Sequence, residues 1–305
     1  MKSSFKYTAS LLLLLFISAC SDFFSTTLEI DPPEHETALV VHAYFSDTDT
    51  TLAVALTKSF GLLETQSDDQ FIRNAQIEFQ LENESPISFD TIPQQPVGNF
   101  ARFNYMAQTA DSIGGNNQTF TLKAAHPDFP SVTATQVMPK AVPIRSIELK
   151  ENAGIDDFGE RVDGVEITFD DPEGEDNYYE FALYALEEFN GDFYINSFFT
   201  YSNDFNVEES LDFDFHLLND GTFNGKEYKF TLLFENYREP SDELTLFVVW
   251  RCLTKELYQY SKSVRDFRSS ADLGLFTEPV TIFSNIENGL GIFGLRTERY
   301  IEVER

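Results

Sequence analysis

Apolar and polar residues alternate along most of this chain, and a period of two predicts strands rather than helices. In Gln76-Ile77-Glu78-Phe79-Gln80-Leu81-Glu82 the apolar side chains share one face and the polar ones the other. Thr119-Phe120-Thr121-Leu122-Lys123-Ala124 and Val165-Glu166-Ile167-Thr168-Phe169-Asp170 repeat the pattern. Further strands are expected at 39–45, 52–59, 87–92, 100–106 and 132–137, separated by turn residues such as Gly114-Gly115-Asn116-Asn117. About seven strands over 31–139 predict an immunoglobulin-like sandwich. Pro139 and Pro143 bracket an expected hinge. The second domain, 140–305, is expected to be β-rich, with strands at 144–149, 165–169, 178–184, 193–201, 213–218, 228–234, 244–252, 280–286 and 292–303. It carries one helix, at about 253–270, where Leu253, Leu257, Tyr260, Val264 and Phe267 form an apolar stripe. Lys255, Glu256, Lys262, Arg265 and Arg268 occupy its other face.

The first residues break this pattern. Lys2 and Lys6 precede an unbroken apolar run from Leu11 to Ile17, too short to span a bilayer core that needs about 20 residues. Ile17-Ser18-Ala19-Cys20 follows. Small residues before a cysteine suit lipoprotein processing, in which the thiolate is alkylated and the chain is cut before Cys20. Residues 1–19 are therefore expected to be a lipoprotein signal peptide and 20–30 a lipidated tether. An ordinary signal peptide that happens to hold a cysteine there is the alternative. Asp31-Pro32-Pro33-Glu34 then stops regular structure and opens the first domain.

Charge narrows the partners. The chain holds 51 acidic against 21 basic residues, a net charge of −30. Removing the signal would take away Lys2 and Lys6 and no acid. Such a balance argues against nucleic acid, whose binding requires phosphate neutralisation by Lys and Arg. It argues equally against a polybasic grip on anionic lipid, so the expected membrane link is the lipid on Cys20. With Cys20 acylated, Cys252 has no partner for an intramolecular disulfide. It lies in the apolar run Leu246-Phe247-Val248-Val249-Trp250-Arg251-Cys252-Leu253, which predicts a packed, inert thiol.

Chemical motifs are few. Gly289-Leu290-Gly291-Ile292-Phe293-Gly294 matches the dinucleotide fingerprint but has no room for the helix and acidic residue that motif needs. A tight turn or bulge is expected instead. His35, His42, His126 and His216 fit no zinc spacing. No G-x-S-x-G elbow occurs, and among 51 acids close carboxylate pairs arise by number alone. Asp170-Asp171-Pro172-Glu173-Gly174-Glu175-Asp176-Asn177 offers oxygen ligands without the EF-hand order, and a solvated hairpin loop is preferred to a cation site. No catalytic residue, metal or cofactor is expected. Phenylalanine is abundant, and Phe193-Tyr194-Ile195-Asn196-Ser197-Phe198-Phe199-Thr200-Tyr201 places rings on both faces of one strand. Rings beyond those the core needs would form a contact surface for a protein or a sugar.

Several segments together resemble one family. They are Ile30-Asp31-Pro32-Pro33-Glu34, Leu39-Val40-Val41, Asp170-Asp171-Pro172 with Tyr178-Tyr179, and the closing run from Glu278-Pro279-Val280 to Ile292-Phe293-Gly294. The chain is similar over nearly its whole mature length to the domain-of-unknown-function family 4249, lipoproteins of the Bacteroidota. Asn288 stands where that pattern suggests glycine. The resemblance carries no catalytic residue. It implies an outer-membrane setting, facing periplasm or cell surface, beside a TonB-dependent transporter. It also implies O-glycosylation at Asp-Ser/Thr sequences, here at Thr50, Thr91 and Ser112. The expectation is a non-enzymatic binding or accessory lipoprotein. The alternatives are a free-standing glycan- or peptide-binding module and, behind it, a hydrolase.

Overall fold

In a computed structural model, the residues described are 35–61, 70–97, 101–156, 158–189, 192–210, 214–234, 244–272 and 280–304. The expected signal peptide, Cys20 and the tether lie outside them. From Thr37 on, all of them except Phe60 and Gly61 belong to one compact unit.

The protein is mainly β, as the alternation predicts, and the described residues form several sheets and one helix. Eight strands fill the first part: β1 (Leu39–Ser46), β2 (Thr51–Lys58), β3 (Gln76–Leu81), β4 (Ile87–Ser88), β5 (Asp90–Val97), β6 (Ala101–Gln108), β7 (Thr119–His126) and β8 (Phe129–Val137). They form two layers, β1-β2-β6-β5 and β4-β3-β7-β8. The expected strand at 87–92 is split, because buried Phe89 marks where the chain leaves one layer for the other. Between the layers Phe79 meets Phe45 edge-on at 5.0 Å and stacks on Phe120 at 5.1 Å. Such ring pairs add about 0.5–1.5 kcal/mol each beyond the apolar area they bury.

The second part contains β9 (Ile144–Ile155), β10 (Arg161–Asp170), β11 (Tyr178–Phe189), β12 (Asp192–Ser197), β13 (Thr200–Tyr201), β14 (Glu208–Glu209), β15 (His216–Asn219), β16 (Glu227–Phe234), β17 (Leu244–Leu253), the helix α1 (Lys255–Asp272) and β18 (Leu290–Glu302). A small sheet, β13-β16-β10-β9, covers its own core of Phe169, Tyr179, Phe181, Phe230 and Trp250.

One long sheet joins the two parts, in the order β14-β15-β11-β17-β18-β1-β2-β6-β5. The join is β18, which runs parallel to β1 from Val40↔Leu290 to Ser46↔Arg296 while pairing antiparallel with β17. The boundary expected between 139 and 140 thus coincides with a change of core and not with a break in the sheet. The chain there is pinned: Met138 and Val142 are buried, and the Trp250 indole N–H donates to the Val142 carbonyl at 2.9 Å.

The glycine motif contributes to the same join. Gly291 has φ +105°, and a Cβ there would sit 2.0 Å from the Val41 carbonyl oxygen, so no side chain fits between β18 and β1. Asn288 takes φ 60°, a left-handed conformation that asparagine tolerates. The helix lies on the opposite side of the long sheet from the small sheets. Leu257, Tyr260 and Val264 pack there against Ile292, Leu217 and Leu253. The expected 253–270 was two residues early at each end.

Three strand expectations need correction. No strand forms over 280–286: the Asn285 side chain bonds both the N–H and the carbonyl of Phe293, replacing a ladder, and Phe283 donates its N–H to Ser263 of α1. The expected 193–201 strand divides into β12 and β13, which belong to different sheets. Of the expected 213–218 strand, residue 213 lies outside the described residues, and the strand found there is His216–Asn219.

Candidate functional site: a ring-lined face of the long sheet

Strand alternation sends every second side chain of β11, β17 and β18 to the face that α1 shares. The helix covers only part of it. Beyond the helix, the register β12–β11–β17 aligns Ile195 with Leu186 and Thr245, and Ser197 with Tyr184 and Phe247. Tyr300 lies opposite Val249 on β18. Phe193, Ile195, Tyr184, Leu186, Phe247 and Tyr300 therefore share one face across four strands. Tyr184 stacks on Phe247 at 5.9 Å and 13°, and Phe247 meets Tyr300 at 6.0 Å. Phe193, Ile195 and Tyr300 are 66%, 65% and 64% exposed. Contiguous exposed apolar faces of this kind are uncommon on protein surfaces and make this one the candidate site.

Charged groups beneath hold the rings in place. Arg251 donates to Glu180 at 2.9 Å and to Glu298, and its guanidinium lies 4.0 Å over the Phe215 ring. The Tyr300 hydroxyl donates to Glu298 at 2.8 Å, and Ser210 donates to Glu180 at 2.6 Å. Burial alone would raise the Glu298 carboxyl; Arg251 and Arg296 outweigh it and hold Glu298 below the ordinary range. Burial, then the Glu298 bond, pushes the Tyr300 hydroxyl up. Glu298 thus stays ionised as an acceptor and fixes the ring of Tyr300.

The edge of this face is acidic. Glu188 and Asp192 are exposed at the β11–β12 turn, and Glu302 is exposed beside Phe247. No lysine or arginine occurs between Arg161 and Lys226. On α1, Lys262 and Arg265 are held by Glu208 of β14 at 2.7 and 2.8 Å.

Other sequence candidates sit elsewhere and do other things. In the loop after β10, Asp171 accepts from the Tyr179 hydroxyl at 2.5 Å and from the Gly225 N–H at 2.9 Å. Asp220 accepts from the Asn177 N–H at 2.9 Å and from Asn224 at 3.1 Å. The expected solvated hairpin needs correction: this loop carries the chain from β10 to β11, which belong to different sheets, and buried Asp171 and Asp220 tie it to the loop before β16. Among the described residues no His, Cys, Asp and Glu group is arranged to hold a metal. Three of the histidines have separate surroundings: His42 lies against Tyr260, His126 beside Asp128, and His216 bonds Thr200 at 2.7 Å. Burial pushes the Cys252 thiol up to about 11, which leaves it protonated and unreactive. Thr50, Thr91 and Ser112 are all exposed. The loops holding Thr50 and Ser112 lie together, with the Ile113 N–H bonded to the Asp49 carbonyl; Thr91 lies on edge strand β5.

The cluster around Phe193 was visible in the sequence, but Tyr300 and the Glu180–Arg251–Glu298 network were not. Their partners lie on strands far apart in the chain, and no local pattern signals them.

These features describe a mainly β protein with an exposed aromatic face. The family model described as domain of unknown function (DUF4249) matches residues 25–301, and the chain belongs to that family. No curated protein matches the chain.

Proposed function

We propose that the protein is a non-enzymatic lipoprotein of the outer membrane, anchored through Cys20, that binds a partner beside a TonB-dependent transporter. The observation carrying this reading is the exposed ring face formed by Phe193, Ile195, Tyr184, Phe247 and Tyr300. Burying such rings supplies most of the affinity at protein interfaces. Strand direction favours the same role. The first strand begins next to Leu290, whereas Tyr300 and Glu302 lie at the other end of β18. A chain tethered before β1 would present the rings away from its entry point.

The test is a mild-detergent pull-down of the tagged full-length chain from native membranes, with Cys20→Ala and Tyr300→Ser compared. Recovery of a stoichiometric β-barrel transporter, reduced in both variants, is expected. Recovery of the lipoprotein alone overturns the accessory role. The second reading, a free-standing glycan- or peptide-binding module, draws on the same exposed rings. It requires ligand binding by the purified chain with no partner present.

A further inference from the structure

Strand β12 is unlike every other strand longer than two residues, because all six of its residues are exposed. Among the described residues its sole strand neighbour is β11, which it meets over Tyr184↔Ser197 to Phe189↔Asp192. The hydrogen-bond phase of this hairpin follows from its last bond, in which the Phe198 N–H donates to the Leu183 carbonyl at 3.0 Å. In an antiparallel ladder, bonded and non-bonded pairs alternate. Asn196 and Tyr194 therefore point their backbone groups at β11. Phe193, Ile195 and Ser197 point theirs away from it, and Phe193 and Ile195 also place their side chains on the ring-lined face. One edge thus offers unpaired N–H and carbonyl groups in line with an apolar surface. That pairing of features is what strand addition uses: the ladder supplies affinity and alternate side chains supply specificity.

Charge selects the occupant. The edge lies in the stretch between Arg161 and Lys226 that has no lysine or arginine, and Glu188 and Asp192 are exposed at its turn. A second copy of this chain would bring the same acidic edge, at a net charge of −30 per chain, and is disfavoured. We infer that β12 accepts an extended segment of a partner protein as an added strand, and that this segment carries lysine or arginine among apolar residues. The inference rests on the binding role proposed above and specifies its mode and its partner chemistry.

The experiment uses the full-length chain in detergent and a fluorescent peptide of strand length alternating lysine and valine. Three comparisons accompany it: the same peptide N-methylated at every residue, a glutamate–valine peptide, and the variant Ile195→Pro. Proline at 195 removes an outward N–H without touching the β11–β12 bonds. Binding of the lysine–valine peptide is expected. N-methylation and Ile195→Pro should each weaken it about tenfold or more, and the acidic peptide should not bind. Equal binding of the N-methylated peptide, or no binding of the lysine–valine peptide, overturns strand addition. If Ile195→Pro does not fold, the N-methylated peptide against the unaltered chain decides. Recovery of a transporter in the pull-down without peptide binding leaves the accessory role standing and removes this mode. Peptide binding without a transporter does the reverse.

Discussion

Strands β3 and β12 have the same length and each carries an isoleucine and a phenylalanine two positions apart, yet their environments are opposite. In β3, Ile77 and Phe79 are buried at 2% and 1%. In β12 nothing is buried. The difference lies in what stands on each side. β3 is flanked by β4 and β7, and its apolar face meets the layer of β1 and β2. β12 has β11 alone, and no second layer covers it among the described residues. Alternation therefore specifies which side chains share a face, while a second layer decides whether that face is core or contact surface.

The largest test of this contrast is Phe79→Ala. It removes a ring that meets Phe45, Phe120 and Phe293, and should cost about 3–5 kcal/mol in denaturant unfolding. A cost below about 1 kcal/mol would mean that the two layers are not closely packed.

An intermediate effect belongs to His42, which α1 covers on the other face of the long sheet. Burial lowers its pKa from 6.5 to about 4. Because the folded value is depressed, the unfolded chain binds the proton more readily. The stabilisation is complete above about pH 6.5 and is lost as pH falls towards 4. Thermal unfolding at pH 7 and pH 4.5 should show a loss from this group of about 2 kcal/mol, which His42→Leu abolishes. An identical acid response in the variant would place His42 in contact with water.

The smallest effect is expected at the mirror position. Phe193→Ser should change stability by no more than about 0.5 kcal/mol, since the ring is two-thirds exposed. A large loss would show that another part of the chain covers β12.

Most of the strands were legible because alternation is a local property. So was α1, from its stripe at Leu257, Tyr260 and Val264. The misplacements share one cause. At Phe89 and again at Phe198–Phe199 a continuous β-like run crosses from one sheet to another, and alternation does not register the crossing. Over 280–286 the pattern looked strand-like, yet the Asn285 side chain took the ladder bonds that a neighbouring strand would have supplied. The candidate surface was half legible: a ring-rich run at 193–201 stood out, but its exposure did not, and Tyr300 joined it through two intervening strands.

The sequence by itself determined the β-rich class, the position of the helix, the acidic balance and the family. It also marked the glycine run 289–294 as a tight turn or bulge, but the lack of space for a side chain at Gly291 came only with the fold. Only the tertiary structure decided that β18 returns beside β1 and makes one sheet of both halves. Parallel pairing between the two ends of a chain leaves no trace in local periodicity, because its register depends on residues some 250 positions apart. The same holds for the ring face. A phenylalanine is buried or exposed according to what the rest of the chain lays over it.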